Sequence, residues 1–398
     1  MGEPRSRYDL KGGYWRLAPE ATPDNEIELV QRLEALGYAS GTMEVDNADV
    51  SVSINKPEAF DGVTLVVSGH GGEAELVGMR GESLHRWQID FVKTFPERAK
   101  KAPKTGISMR KVELLPDGRL LAIWEGQALV LLSPDSEILW KSSYRAHHDV
   151  RFHDGDVYVL TREINRPALG FGPTPFLEDF LSIVDLETGI ERRRISILKA
   201  LRKSPFEYLY VPEQTVYGDL LHTNSIQVLS GNAAHIDPAF RAGNVLLSIP
   251  LHDLVAVLDI ETERMVWAHV AGFVKQHDAQ ILYGKTLLML DNRGVPERSR
   301  AIEYDLATRL PVWSYGGSEA EPLDTPCCGA AQRLPNGNTL ITETEFGRAV
   351  EVTRDGDIVW EYINPNRAGP NGKYIAVLFE ARRFARDYVT SWLPEASR

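Results

Sequence analysis

The stretch Ala331-Gln332-Arg333-Leu334-Pro335-Asn336-Gly337-Asn338-Thr339-Leu340-Ile341-Thr342-Glu343 opens a pattern that continues through a turn at Phe346-Gly347, Arg348 to Thr353, a turn at Arg354-Asp355-Gly356, and Asp357-Ile358-Val359-Trp360-Glu361-Tyr362. It reads as a meander of four short strands, because short β-prone runs are separated by Gly-containing turns that reverse the chain. The phrase returns along the chain. Val112-Glu113-Leu114-Leu115-Pro116-Asp117-Gly118 leads to Ile138-Leu139-Trp140, and Ala279 to Leu282 leads to Pro311-Val312-Trp313. Trp87, Trp140, Trp267, Trp313 and Trp360 mark the fourth strand of five copies; a sixth fits between Trp140 and Trp267, its fourth strand at Gly189 to Ile197 lacking Trp.

Copies of about 40 to 50 residues with four strands each are the signature of a β-propeller. The pattern therefore predicts an all-β fold, a six-bladed β-propeller with four-stranded antiparallel blades at 48–90, 109–143, 149–197, 224–270, 278–316 and 330–363. A pair of β-sandwiches would not repeat the same turn and the same Trp at one phase. Three regions follow: an arm at 1–47, the propeller at 48–365, and a tail at 366–398 expected to pack on its outside. Within the arm, residues 26–37 place Ile27, Leu29, Val30, Leu33 and Leu36 on one helical face, with Asp24 or Asn25 as cap and Gly37 as stop, predicting a short N-terminal helix.

The 398 residues carry 44 basic and 56 acidic side chains, a formal charge of -12. That balance disfavours a nucleic-acid backbone or an anionic membrane surface as partner and favours a small molecule. No apolar run reaches the roughly 18 residues of a membrane span, so no membrane insertion is expected, and the first residues do not have the apolar core of an export signal. The two cysteines, Cys327 and Cys328, are adjacent, which rules out an ordinary disulfide framework.

In a propeller the inner strands start on one face, and the turns between second and third strands return to it. The long insertions Glu163 to Asp179 and Leu198 to Thr223 fall on that face, as binding loops commonly do. His148 and His277 open equivalent inner strands as His-Asp pairs; Asn224 takes that position in the fourth blade, with His222 two residues earlier and His147 beside His148. Asn292 and Arg300 in the fifth blade, and His70 with Glu73 in the first, come from second-to-third-strand turns on the same face. One His-Asp pair alone is often a local cap, its carboxylate holding a loop amide. Several imidazoles aimed at one axis are harder to explain by packing, since apolar side chains would plug a tunnel at lower cost. His85, His153, His235, His252 and His269 fall at other phases and read as surface or structural; Cys327-Cys328-Gly329 reads as a tight turn of buried thiols on the tunnel face, where sulfur can touch ligand or metal.

Two chemistries suit this set. Neutral imidazole acts as nucleophile or base beside Asn and Arg donors, which fits transfer of an anionic group through a covalent histidine. Alternatively His148, His222 and His277 hold zinc or another transition metal, iron or copper, as a lyase, hydrolase or oxygenase does. A third reading is a propeller that binds a ligand without turning it over.

Taken together, Gly62-Val63-Thr64-Leu65 with Ser68-Gly69-His70, His147-His148-Asp149, His222-Thr223-Asn224-Ser225, Gln276-His277-Asp278 with Leu290-Asp291-Asn292, and Gly329 to Leu340 resemble the bacterial arylsulfotransferase family, from about Gly62 to Pro365. The resemblance implies transfer of a sulfuryl group between phenols without nucleotide sulfate or other cofactor, in the periplasm or outside the cell, on a small aromatic or anionic substrate. It implies His277 as the sulfurylated residue and His222, Asn224 and His148 as its catalytic helpers, while His147, Asn292, Arg300 and His70 are expected as substrate contacts from their place on the tunnel face. The chain departs from the family where Val245-Leu246-Leu247-Ser248-Ile249 is followed by Pro250, at the position expected to carry a sulfuryl-binding arginine. Arg298 or Arg300 is the expected substitute, and Pro250→Arg is expected to restore the charge.

Overall fold

The central strands of each repeat are apolar along their whole length because a blade is covered on both faces by its neighbours. Leu120–Trp124 and Ala128–Leu132 are buried at every position, whereas the outer strand Ile138–Ser142 is largely exposed. The computed structural model describes residues 41–44, 51–99, 108–165, 175–211, 218–294, 298–368 and 374–393; the helix expected at 26–37 lies outside them.

Six antiparallel sheets follow in order around the ring. From inner to outer strand, the second blade is Lys111–Leu114, Leu120–Trp124, Ala128–Leu132 and Ile138–Ser142, and the third is Ala146–His153, Asp156–Asn165, Phe176–Asp185 and Glu191–Ser196. The fourth is Ser225–Val228, Val245–Ile249, Leu254–Asp259 and Arg264–His269; the fifth is His277–Leu282, Thr286–Gly294, Arg298–Asp305 and Pro311–Tyr315. Ala330–Arg333, Thr339–Glu343, Arg348–Val352 and Ile358–Ile363 make the sixth. These match the repeats read from the sequence.

The first blade corrects that reading. Its second, third and fourth strands are Val63–Ser68, Glu73–Val77 and Ser83–Gln88, but its inner strand is Leu378–Phe384, paired antiparallel to Val63–Ser68 with Phe384 opposite Val63 and Leu378 opposite Ser68. The tail expected to pack outside thus completes the ring, although Trp392 does pack on the rim, against Gly118 and 5.5 Å from Trp87. At the other end Val52–Asn55, placed by sequence in the first blade, pairs with Ile358–Ile363 as a fifth strand of the sixth. Both closures follow from the cost of unpaired strand edges, which a ring removes only if its two ends meet.

The repeated tryptophans join blades. Trp87 donates its indole N–H to Gly118 O of the second blade (3.1 Å), Trp140 to Leu186 O of the third (2.7 Å), Trp313 to Arg354 O of the sixth (2.9 Å) and Trp360 to Met79 O of the first (3.0 Å). In the fourth blade Trp267 instead lies 5.2 Å beneath the Arg309 guanidinium of the fifth. Gly118, at φ 84, needs its glycine twice over, since a Cβ there would also meet the Trp392 ring at 2.4 Å.

A chain ending at Val377 is expected to lose the cooperative melting transition, because the first blade then has no inner strand. Trp360→Phe should cost about 1 to 3 kcal/mol by leaving the Met79 carbonyl without its donor, read in denaturant titrations. Unchanged melting of the shortened chain would mean that the ring closes by other contacts.

Candidate active site

Each blade brings the start of its inner strand to the axis, and six such starts line one cavity. Arg110 and Lys111 come from the second blade, His148 and Asp149 from the third, Asn224 and Ser225 from the fourth, His277 and Asp278 from the fifth, Cys328 to Ala330 from the sixth, and Phe379 from the closing strand of the first. The His-Asp phrases sit on irregularities: the pairing register shifts between Ala146 and Val150 and again between His277 and Gln280. Left-handed backbone at His148 (φ 55), His222 (φ 56), Asp278 (φ 53) and Cys328 (φ 64) accompanies them. Bulges and left-handed residues cost energy and turn side chains out of the pleat, as site residues commonly require.

The two halves of the phrase do different work. Asp149 accepts the Ile226 amide of the fourth blade (2.9 Å) and Asp278 the Ala331 amide of the sixth (3.2 Å), so both carboxylates cap a neighbouring inner strand. The histidines are thereby held at the cavity wall.

His277 Nδ1 lies 2.8 Å from Asn292 Oδ1 and 3.1 Å from Lys275 O. The Asn292 amide has no freedom to turn over, because its Nδ2 donates to Thr325 O (2.5 Å) and Cys328 O (2.7 Å). Both partners of Nδ1 are therefore acceptors, so Nδ1 carries the proton and Nε2 keeps the lone pair. Burial holds this imidazole down to about 3, against the Asn292 hydrogen bond and with help from the charges of His222 and Arg110. It is neutral at any physiological pH.

His222 is its opposite. Its Nδ1 meets Asp219 Oδ2 at 2.6 Å, and the same carboxylate accepts the His222 amide. Burial works against its charge, yet the Asp219 charge and hydrogen bond raise its pKa above the ordinary value. Asp179, next to this pair, is pushed up to about 7 by burial and by Asp219. His222 does not line the cavity; its ring packs edge-on against His148, centroids 4.6 Å apart. His148 and His147, whose Nδ1 atoms lie 2.9 Å apart, are both held well below the usual histidine range by burial and by neighbouring cations.

Asn224 donates Nδ2 to Gln276 O (2.9 Å), which leaves its buried Oδ1 without a hydrogen-bond partner. Asn224, expected among the catalytic helpers, thus presents an acceptor and not a donor. His70 and Arg300 do not reach the cavity. His70 is held between Ser68 and Glu73, each at 2.9 Å, and Arg300 binds Asp291 (2.9 Å) and Gly272 O (2.6 Å), an arrangement made by its own hairpin. Pro250 begins a buried single turn after Val245–Ile249 and is also absent from the wall, so an arginine there would not face the cavity.

The cavity wall carries Arg110 in place of a charge at position 250, Arg298 or Arg300. Its guanidinium lies 3.3 Å from Cys328 Sγ and 4.5 Å above the Phe379 ring. Lys111 adds a second cation, bound to Glu380 and 3.7 Å from Asp149. Sequence reasoning missed both, although Arg110-Lys111-Val112 stands at the phase of His148-Asp149-Val150, each a few residues before an Asp-Gly turn. The three histidines expected to bind one metal do not form a single donor set. Donor atoms within 4.8 Å of one another fall into Glu125, His147 and His148, and into His277, Cys327 and Cys328.

With this geometry in view, comparison with known proteins gives the class. Residues 111–365 match the family described as arylsulfotransferase (ASST). The chain belongs to the arylsulfotransferase family. A protein of unknown function from Bacteroides caccae has a similar structure (TM-score 0.51, 12% identity, 76% of this chain and 94% of that one). The β-propeller domain of Cps50 (Swd1) from Myceliophteria thermophila is more distant (TM-score 0.45, 11% identity, 82% of this chain and 90% of that one). No curated protein matches the sequence. Among the described residues no helix is long and apolar enough to cross a membrane.

Asn292→Asp tests the tautomer lock. A carboxylate at that position stabilises protonated His277, so the imidazole pKa should rise by more than one unit in NMR titration, whereas Asn292→Leu should leave it low. An unchanged value in Asn292→Asp would mean that Asn292 does not govern the ring.

Proposed function

We propose that this protein transfers a sulfuryl group from an aryl sulfate to a phenolic acceptor through a sulfo-histidine at His277. The observation that carries the reading is the pairing of His277 Nδ1 with Asn292, which fixes the lone pair on Nε2 of a neutral imidazole beside a cationic side chain. In the first half-reaction Nε2 forms a bond to sulfur as the S–O bond to the aryl group breaks, and the departing phenolate takes a proton. In the second, the acceptor phenol gives up its proton, its oxygen bonds to sulfur, and the N–S bond breaks.

Arg110 holds the sulfuryl oxygens in place of the arginine that Pro250 replaces. His222, whose pKa Asp219 raises, is the proton reservoir, and His148 on the cavity wall carries the proton between it and the phenol oxygen. Asn224 Oδ1, lacking a protein donor, receives the acceptor's O–H and orients it. Phe379 offers an aromatic face to the ring. No nucleotide sulfate takes part. Membership of the family supports a periplasmic or extracellular site of action.

The test uses 4-nitrophenyl sulfate with phenol as acceptor. Nitrophenol release should depend on the acceptor and vanish in His277→Ala. Arg110→Ala should lose about a hundredfold to a thousandfold in rate, the usual worth of one preorganised charge-stabilising donor, and Arg110→Lys should recover part of it. Pro250→Arg should gain nothing. Turnover that survives in His277→Ala would overturn the covalent route.

A further inference from the structure

Beside the His277 ring lie two thiols that sulfuryl transfer does not use. Cys327 Sγ, Cys328 Sγ and a ring nitrogen of His277 lie within 4.8 Å of one another, all three residues buried. Both cysteines are free thiols, their sulfurs 2.9 Å apart. Adjacent side chains ordinarily diverge, so their convergence has to be built.

The turn that builds it is held from three sides. Cys327 N donates to Glu345 Oε1 (3.0 Å), Cys327 O accepts Thr325 Oγ1 (2.9 Å), and Cys328 O accepts Asn292 Nδ2 (2.7 Å). Cys328 (φ 64) and Gly329 (φ 87) are both left-handed, and a Cβ on Gly329 would meet Leu290 at 2.5 Å and Thr342 O at 2.6 Å. Asn292 therefore positions two of the three donors at once, the imidazole through Oδ1 and the Cys328 carbonyl through Nδ2.

We infer that Cys327, Cys328 and His277 Nε2 form a three-coordinate site for a thiophilic monovalent cation, copper(I). The donor chemistry selects it, since two sulfurs and one imidazole with no carboxylate oxygen suit a soft cation. A buried site also excludes the water shell that divalent ions keep. Metal–sulfur bonds of about 2.3 Å place two sulfurs roughly 4 Å apart in a trigonal site, so binding opens the 2.9 Å contact by side-chain rotation while the turn stays fixed. The Arg110 guanidinium, 3.3 Å from Cys328 Sγ, balances the charge of a bis-thiolate copper(I) centre. Bound copper occupies the His277 nitrogen; that consequence for turnover rests on the sulfuryl-transfer reading, whereas the site itself does not.

The test is competition of the reduced, full-length protein against a chromogenic copper(I) chelator, followed by X-ray absorption at the copper edge. One equivalent should bind, with a first shell of two sulfurs and one nitrogen. Cys327→Ser, Cys328→Ser and His277→Ala should each weaken binding at least a hundredfold while the melting temperature of the metal-free variants stays within a few degrees. If a cysteine variant fails to fold, His277→Ala alone decides, through loss of the nitrogen from the shell. Absence of competitive binding, binding that survives in all three variants, or a shell without nitrogen overturns the site. No step reads turnover, so failure of the sulfotransferase assay leaves the result standing.

Discussion

Everything at the axis depends on closing the ring. Six wedge-shaped sheets surround a common tunnel only if the last meets the first, and here the two ends of the propeller are clasped separately. Leu378–Phe384 supplies the first blade's inner strand, while Val52–Asn55 adds an outer strand to the sixth. Between blades the indole N–H groups of Trp87, Trp140, Trp313 and Trp360 reach a neighbour's turn carbonyl. Each such bond is worth only about 1 kcal/mol net. Their value is geometric, since they fix the angle between sheets and therefore the point on the axis at which six inner strands converge.

That convergence explains how one structural position yields different chemistry in each repeat. The residue pair opening the inner strand is Arg110-Lys111, His148-Asp149, Asn224-Ser225 or His277-Asp278, according to blade. Where the second member is Asp, it caps the next blade's strand and holds the first at the cavity wall. Two histidines of the set then diverge through their partners alone. Burial keeps His277 neutral against its Asn292 hydrogen bond, whereas the Asp219 carboxylate raises the pKa of an equally buried His222. Separate environments thus set like groups apart in their protonation.

The blades were legible because their signals are local: turn, alternation and Trp recur within each copy. His148, His277 and Asn224 were legible for the same reason, being fixed by their phase against those turns. Leu378–Phe384 was not, because its partner lies more than 300 residues away and no local pattern records such a pairing. Losing that strand hid Phe379 as well. Arg110 was hidden differently: it occupies the phase of His148, but a search for imidazoles passes over a guanidinium. His70 and Arg300 sit on the expected face and still miss the cavity, since Glu73 and Asp291 in their own hairpins hold them.

The closing strand brings Phe379 to the cavity wall and Glu380 to Lys111. A ribosome makes these residues after every other blade strand, so a nascent chain can assemble five blades and most of the first without possessing a finished pocket. The cavity wall is therefore completed in a single late event, the docking of seven residues against Val63–Ser68. Until then the half-formed first blade presents a bare apolar edge.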